Sequence, residues 1–147
     1  KLGAAAQAGA DYLIDSEIGD LKEQVKELGG ADVVYDPVGG DQFNDIFRAC
    51  NPDGRILVIG FASGKLPEVK ANHLMVKNIS VIGLNWGGYL KFNPEVQKKS
   101  LAILMDWYAK GKLSPQINTT LPFCDALSGF ELLKSRKSTG KVVIKIT

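Results

Sequence analysis

The sequence has few of the residues that build metal sites. Its 147 residues include two cysteines, Cys50 and Cys124, and one histidine, His73. No pair among them has the spacing of zinc ligands, so we predict no stoichiometric zinc. So few cysteines fit a reducing compartment, and we expect a cytoplasmic location, with mitochondria and peroxisomes left open.

Long apolar runs and a strong net charge are also absent. No run is long enough to span a bilayer, and no signal peptide is visible, so we predict no membrane partner. The 18 Lys and Arg residues against 16 Asp and Glu give a net charge of +2. This balance argues against a nucleic-acid surface.

The sequence also has no glycine-rich phosphate loop, because no G-x-G-x-x-G pattern occurs in it. The alanine-rich stretch from Leu2 to Ala8 reads as the tail of a helix that ends at Gly9. The chain starts at Lys1 rather than at a methionine. We therefore expect it to be processed or cut, with the strands that would precede this helix outside it.

The segment from Ala31 to Gly64 is the most informative part of the chain. Two apolar runs, Val33–Tyr35 and Ile56–Ile59, each lead into glycine, and a helix-like segment beginning at Asp41 lies between them. Apolar runs without alternation favour strands that are covered on both faces, as in parallel sheets. Ligands of such sheets bind at the carboxyl ends of the strands, where these glycines lie.

The remaining segments extend this pattern. Before the central segment we predict a strand at 12–14 and a helix capped by Ser16. After it we predict, in order, a helical turn at 73–76, a strand at Ile79–Leu84, a long helix from Pro94, a strand at 116–120, a helix from Asp125 and a strand at 141–146. The β-α-β-α-β order of the first half predicts parallel strands with right-handed crossovers.

Several polar and aromatic residues have ordinary structural interpretations. Carboxylates at strand ends and helix starts, as at Asp32, Asp36 and Asp41, are more often caps than acid–base catalysts. The lone histidine has no partner nearby in sequence and is expected to be a surface or packing residue. The long helix is expected to turn its apolar side chains inward as core: Leu101, Leu104, Met105, Trp107 and Tyr108.

Five segments in the same order resemble the medium-chain dehydrogenase/reductase superfamily, and its zinc-independent quinone oxidoreductase (zeta-crystallin-like) branch in particular. They are AGADYLID, GADVVYDPVGGDQF, GRILVIGFASG, NISVIGLNWGGY and STGKVVIKI. The resemblance covers the whole chain but only the later part of the family's length. It implies an α/β fold: a Rossmann-like doubly wound parallel sheet, incomplete here because the first two strands and the glycine-rich loop are absent. Residues 1–115 would be the later part of the NADP-binding domain, and 116–147 a segment returning toward the catalytic domain.

The resemblance also implies a function and a set of cofactor contacts. The function is hydride transfer from NADPH to a quinone or enone, with no metal and with catalytic residues upstream of this chain. The positions that match cofactor-binding positions of the family are Val38, Gly39, Gly60, Phe61, Ala62, Leu84, Asn85, Trp86 and Arg136.

Two further positions bear on the choice of NADPH over NADH. Lys1 matches a lysine that can meet the 2′-phosphate of the cofactor. Ser16 replaces a tyrosine of many relatives, although its hydroxyl can still donate to a phosphate. The structural alternatives are a solvated lysine and a helix cap.

Alternative functions stay open at this point. They are reduction of an enoyl thioester on the same frame, and a non-catalytic nucleotide- or RNA-binding module. We expect a homodimer through the strand Ile79–Leu84, as in the resembling family, because an apolar edge strand exposes unpaired backbone groups. We expect this chain alone to be inactive and to bind NADPH poorly.

Overall fold

The computed structural model describes residues 1–146, which form two compact units. We call residues 9–89 the sheet unit and the part from Leu90 onward the carboxyl-terminal unit. The elements of the first 89 residues are α1 (Leu2–Gln7), α2 (Leu21–Glu27), β1 (Ala31–Asp36), α3 (Asp41–Ala49), β2 (Cys50–Val58), α4 (Ala71–Lys77), β3 (Ser80–Gly83) and a 3₁₀ turn (Trp86–Gly88). Those that follow are α5 (Tyr89–Phe92), α6 (Pro94–Ala109), β4 (Ile117–Pro122), a 3₁₀ turn (Phe123–Asp125), α7 (Ala126–Lys134) and β5 (Lys141–Lys145).

The sheet unit contains a three-stranded parallel sheet in the order β1-β2-β3. Tyr35 pairs with Leu57, which in turn pairs with Ile82, so all three strands end at the same edge. The parallel α/β architecture predicted from the sequence is confirmed. β2 begins earlier than the sequence indicates, because the segment around Pro52 and Gly54 is accommodated as an irregularity in its pairing with β1.

The core of the sheet unit lies between the strands and α3. Its buried apolar side chains are Val34, Phe43, Phe47, Cys50, Ile56 and Ile79. α3 begins at the predicted residue, Asp41, and the rings of Phe43 and Phe47 stack with centroids 5.9 Å apart. The face of α3 that carries Phe43 and Phe47 is therefore the face that packs on the sheet.

Only one face of β1 is covered, which differs from the two covered faces expected from its apolar run. Val34 and Asp36 are 8% and 2% exposed, whereas Val33 and Tyr35 are 53% and 66% exposed. Alternate side chains of a strand point to opposite faces. Within residues 9–89, no described element buries the side of Val33 and Tyr35.

Two predictions for the segment before α2 are wrong. Tyr12–Ile14 forms no strand, because in the described residues no neighbouring strand pairs with it. The N-cap of α2 is Asp20, whose carboxylate accepts a hydrogen bond from the Glu23 backbone N–H at 3.1 Å. Ser16 lies in an exposed turn four residues before this N-cap.

The carboxyl-terminal unit pairs β4 with β5 in parallel and packs α7 against both strands. Gly129 is the buried contact point on α7, because a Cβ there would lie 3.2 Å from side-chain atoms of Val142 and Ile144. The predicted inward face of α6 is wrong for this structure. Its large apolar side chains are 38–66% exposed, namely Leu101, Leu104, Met105, Trp107 and Tyr108.

No helix in the described part of the chain is long and apolar enough to cross a bilayer. The predicted boundary between residues 115 and 116 refers to domains of a longer protein and stays a prediction.

Candidate functional site

A cavity of about 890 Å³ opens where the three strands of the sheet unit end. Its lining comes from the last residues of each strand and from the segments that follow them: Tyr35, Val58, Ile59, Gly60, Phe61, Gly83, Leu84, Asn85, Trp86 and Gly87. Carboxyl ends of parallel strands are the usual ligand-binding edge of an open α/β sheet. The fold therefore brings five of the sequence-predicted site residues to one cavity, from Gly60 and Phe61 to the run 84–86.

The segments after β1 and β2, residues 37–40 and 59–65, are tied to each other by hydrogen bonds. The Ala62 and Ser63 backbone N–H groups donate to the Pro37 and Val38 carbonyls at 3.1 and 3.0 Å. The Ser63 hydroxyl also donates to the Val38 carbonyl, at 2.7 Å, and accepts from the Lys65 N–H at 3.2 Å. The wall of the cavity formed by Gly60 and Phe61 is thus held in a fixed relation to Val38.

Glycine is required where these two segments touch. Gly39 and Gly40 both have φ of +65°, a conformation that L side chains rarely adopt. A Cβ at Gly39 would lie 3.2 Å from Phe61 Cδ1, and one at Gly40 would lie 2.7 Å from Ser63 Oγ. Predicted residues Val38, Gly39 and Ala62 do not line the cavity themselves, but they pack directly behind its wall.

Asp36 holds the turn after β1 from inside. Its Oδ1 accepts hydrogen bonds from the Val38 and Gly39 backbone N–H groups, each at 2.9 Å, and the residue is 2% exposed. Its Oδ2 is buried and has no hydrogen-bond partner in the described part of the chain. The predicted interpretation of this aspartate as a strand-end cap is confirmed.

The two other aspartates of this region have partners of their own. Asp41 accepts a hydrogen bond at 2.8 Å from the Lys65 ammonium on the surface, and this bond raises the pKa of Lys65. Asp32 accepts from the Asn51 side-chain amide at 2.9 Å. Neither arrangement is that of an acid–base pair.

Another wall of the cavity is formed by the segment that follows β3. The Leu84 N–H donates to the Val58 carbonyl at 3.0 Å, which continues the sheet by one residue. Asn85 Oδ1 then accepts from the Gly88 N–H at 3.1 Å and caps the 3₁₀ turn. Because this bond uses only the amide oxygen, the Asn85 Nδ2 can still donate into the cavity.

Sequence reasoning missed five lining residues: Tyr35, Val58, Ile59, Gly83 and Gly87. Tyr35 could have been found from the alternation along β1, since it lies between two buried residues at the strand's end. A Cβ at Gly83 would meet nothing within 4 Å, so this glycine leaves the cavity open.

Three further predicted cofactor residues also do not line this cavity. Lys1 precedes α1 and is exposed, and Ser16 is exposed in the turn before α2. Arg136 follows α7 with φ of +55°, and its backbone N–H donates to the Leu133 carbonyl at 3.0 Å. Their roles toward a cofactor stay predictions.

A profile of the zinc-binding dehydrogenase family matches residues 8–144. A quinone oxidoreductase-like protein 2 homolog of Nematostella vectensis is 38% identical over 98% of this chain and 40% of its own length. Quinone oxidoreductase-like protein 2 of Bos taurus is 38% identical over 99% of this chain and 43% of its own. The chain therefore spans about two fifths of the length of these curated relatives.

Solved structures show the same fold. Escherichia coli quinone oxidoreductase complexed with NADPH aligns with a TM-score of 0.83 and 26% identity, over 99% of this chain and 46% of that one. The Pseudomonas syringae quinone oxidoreductase aligns with a TM-score of 0.83 and 27% identity, over the same two shares.

The family description names zinc, but the residues of this chain do not fit a zinc site. Within residues 1–146, no group of three or more His, Cys, Asp or Glu side chains is placed to hold a metal ion. Cys50 is buried in the core of the sheet unit, and Cys124 is exposed in the carboxyl-terminal unit. No step through zinc follows from this chain, and its absence from the protein stays a prediction for elemental analysis.

The profile match, the two curated relatives and the Rossmann-type neighbours agree with one another. The chain belongs to the zinc-binding dehydrogenase family of the medium-chain dehydrogenase/reductase superfamily, as a quinone oxidoreductase-like portion.

Proposed function

We propose that this chain is the cofactor-binding portion of an NADPH-dependent quinone or enone oxidoreductase. The convergence of Gly60, Phe61 and the run 84–86 on one cavity at the carboxyl ends of the strands carries the proposal. The Escherichia coli relative of the same fold was solved with NADPH, which supports this choice of cofactor.

The residues of the cavity fit the nicotinamide half of such a cofactor. Gly83 leaves open space in the lining, and Phe61, Leu84 and Trp86 supply apolar surface for a flat ring. The Asn85 amide offers N–H donors suited to a carboxamide oxygen. Val38 and Gly39, behind the wall, would border the ribose, while Lys1 or Ser16 would meet the 2′-phosphate.

This chain contributes to the reaction by positioning the nicotinamide ring of the cofactor. When bound, the reduced nicotinamide supplies a hydride to the conjugated carbonyl of the acceptor. The hydrogen-bonded segments 37–40 and 59–65 hold one wall of the cavity fixed, and the Asn85 cap fixes the other. Fixed walls lower the entropic barrier to bringing the reacting atoms together.

We also propose that the protein forms a symmetric homodimer through β3. This strand is an edge of the sheet, and its side chains Ile82 and Leu84 are 43% and 39% exposed. Because the Leu84 N–H points to β2, alternation directs the N–H groups of Val81 and Gly83 outward. These groups can pair with a second copy of the strand.

The chain by itself should be inactive and bind NADPH poorly. It contains no glycine-rich loop that would hold the pyrophosphate at a helix start. Losing two charge-assisted hydrogen bonds of about 1.5–3 kcal/mol each would weaken binding by about two to four orders of magnitude. Calorimetric titration of residues 1–147 with NADPH checks this, and micromolar affinity would contradict it.

The test of the function uses the longer protein that contains this chain. We expect NADPH-dependent reduction of a quinone, and little reduction of an enoyl thioester offered in parallel. Gly83→Val, which fills the cavity, should raise the KM for NADPH about tenfold or more by displacing the ring. Gly3→Val, at an open position on α1, is the matched control and should leave the KM unchanged. Turnover of the thioester alone, or cofactor binding that Gly83→Val does not affect, would contradict the proposal.

A further inference from the structure

A second concave site of the sheet unit lies between the helices α2, α3 and α4. It has a volume of about 340 Å³, and its lining is Lys22, Lys26, Phe47, Arg48, His73, Val76 and Lys77. These residues are scattered over more than 50 positions of sequence and come together only in the folded unit. We call this site the basic groove.

The basic groove shares no lining residue with the cavity at the carboxyl ends of the strands. The hydrogen bonds of Lys77 show where the groove lies along the sheet. The Lys77 ammonium donates to the Arg48 and Cys50 carbonyls at 2.7 and 2.9 Å. Cys50 is the first residue of β2, whereas the cavity begins at Val58, the last. The groove therefore lies toward the amino end of this strand.

The charges of the basic groove are incompletely neutralised. Glu23 forms ion pairs in the groove, with Oε1 2.6 Å from the Lys22 ammonium and 3.8 Å from that of Lys26. Arg48 forms no ion pair within residues 1–146. The hydrogen bond to Glu23 raises the pKa of Lys22, the charge of Asp20 adds to that shift, and the neighbouring Arg48 charge opposes it. The four cations of the lining outnumber the nearby carboxylates Glu23, Asp20 and Glu68, and this excess of positive charge favours the entry of an anion.

The lining of the groove is also partly apolar. The Phe47 and His73 rings stack with centroids 5.9 Å apart and an interplanar angle of 24°, and Val76 beside them is 76% exposed. An inorganic ion would leave this surface in water, whereas a ligand with an apolar body would cover it. Phe47 itself is only 6% exposed, so the groove offers no free ring on which successive nucleic-acid bases could stack.

We propose that the basic groove binds a small organic anion, a phosphate or carboxylate joined to an aromatic or short acyl body. Arg48 and Lys26 hold the anionic head, and Val76 with the edge of the Phe47–His73 stack contacts the body. Lys77 keeps its hydrogen bonds to the end of α3 and adds its charge to the site.

The test is a titration of the full chain with 1-naphthyl phosphate, followed by calorimetry and by the backbone amide signals of α2, α3 and α4. We expect saturable binding that weakens as salt is added, because the charges are near the surface. Lys26→Gln and Arg48→Gln should each weaken binding about threefold and the pair about tenfold, and Arg48→Lys should restore most of the loss.

Lys98→Gln is the matched control. Lys98 pairs with Glu95 at i,i+3 on α6, as Lys26 pairs with Glu23 on α2, but it lies outside the sheet unit. Equal losses in Lys26→Gln and Lys98→Gln would mean non-specific attraction and would overturn the proposal. Inorganic phosphate binding as tightly as the naphthyl ester, or a short RNA displacing the ester at lower concentration than phosphate does, would overturn the assigned ligand class.

Discussion

The sheet unit and the carboxyl-terminal unit contain similar elements but bury very different amounts of side chain. Six apolar side chains form a closed core between β1, β2 and α3. From Leu90 to Ile146, only Gln97 and Gly129 are buried, although α6 is the longest helix described. Regular backbone hydrogen bonding is therefore not enough to make a core. The apolar side of α6 needs a surface that the described unit does not supply.

The largest expected effect comes from opening the core of the sheet unit. Ile56 is 0% exposed, and Ile56→Ala removes buried methyl groups and leaves a cavity, which should lower the free energy of unfolding by about 2–5 kcal/mol. Ile103, which is 50% exposed on α6, is the matched control. Ile103→Ala should change the free energy of unfolding by less than about 1 kcal/mol.

The two tryptophans allow each unit to be followed separately in denaturant. Trp107→Phe leaves Trp86 as the reporter of the sheet unit, and Trp86→Phe leaves Trp107 for the other. Equal destabilisation by the two alanine substitutions would mean that α6 is as well packed as the core.

Thiol reactivity gives a second comparison of the units. Cys50 is 1% exposed, and burial raises its pKa, so less of the reactive thiolate is present at neutral pH than for an ordinary thiol. Cys124 is exposed. We expect iodoacetamide to modify Cys50 about a hundredfold more slowly, because the sheet unit must open first. The difference should disappear in guanidinium chloride. Equal rates in the native chain would contradict a closed core.

A proline substitution tests whether the sheet unit has an open edge. Val81→Pro removes an N–H that points away from β2 and should weaken self-association about tenfold without unfolding the sheet. Ile82→Pro removes an N–H directed toward β2 and should instead destabilise the unit itself. Sedimentation measures the self-association of each variant, and denaturant unfolding measures its stability. A Val81→Pro variant that stays fully dimeric would refute association through β3.

The smallest effect concerns the link between segments 37–40 and 59–65. Ser63→Ala loses the hydroxyl bonds to Val38 and Lys65 and should cost about 1 kcal/mol, with faster amide exchange at Gly39 and Gly40. Ser135→Ala is the control, since its hydroxyl bonds only to a nearby carbonyl on the surface. Unchanged exchange after Ser63→Ala would show that the backbone bonds alone fix these segments.

The sequence predicted best where structure depends on neighbours along the chain. The strand around Val33–Asp36 and the helix start at Asp41 follow from apolar pattern and turn residues, and both were found. The prediction of a strand at Tyr12–Ile14 was wrong, because a strand forms only beside a pairing partner.

The candidate site was predicted only in part for the same reason. The family resemblance placed Asn85 and Phe61, which follow predicted strands, but the inclusion of Tyr35 depends on which face of β1 is covered. The basic groove was not predicted at all, because its residues on α2, α3 and α4 share no local pattern and meet only through helix packing.

The glycines around the cavity differ in how much change they can accept, and this limits how the protein can diversify. Gly39 and Gly40 are held by their backbone conformation and by close neighbours, and a Cβ at Gly60 would lie 3.2 Å from the Pro37 carbonyl oxygen. A substitution at any of these three positions would disturb the backbone around the cavity. Gly83 faces open space and Gly87 nearly so. New ligand preferences should therefore arise from side chains added at Gly83 and Gly87, at the end of β3 and in the turn after it, where substitution leaves the scaffold intact.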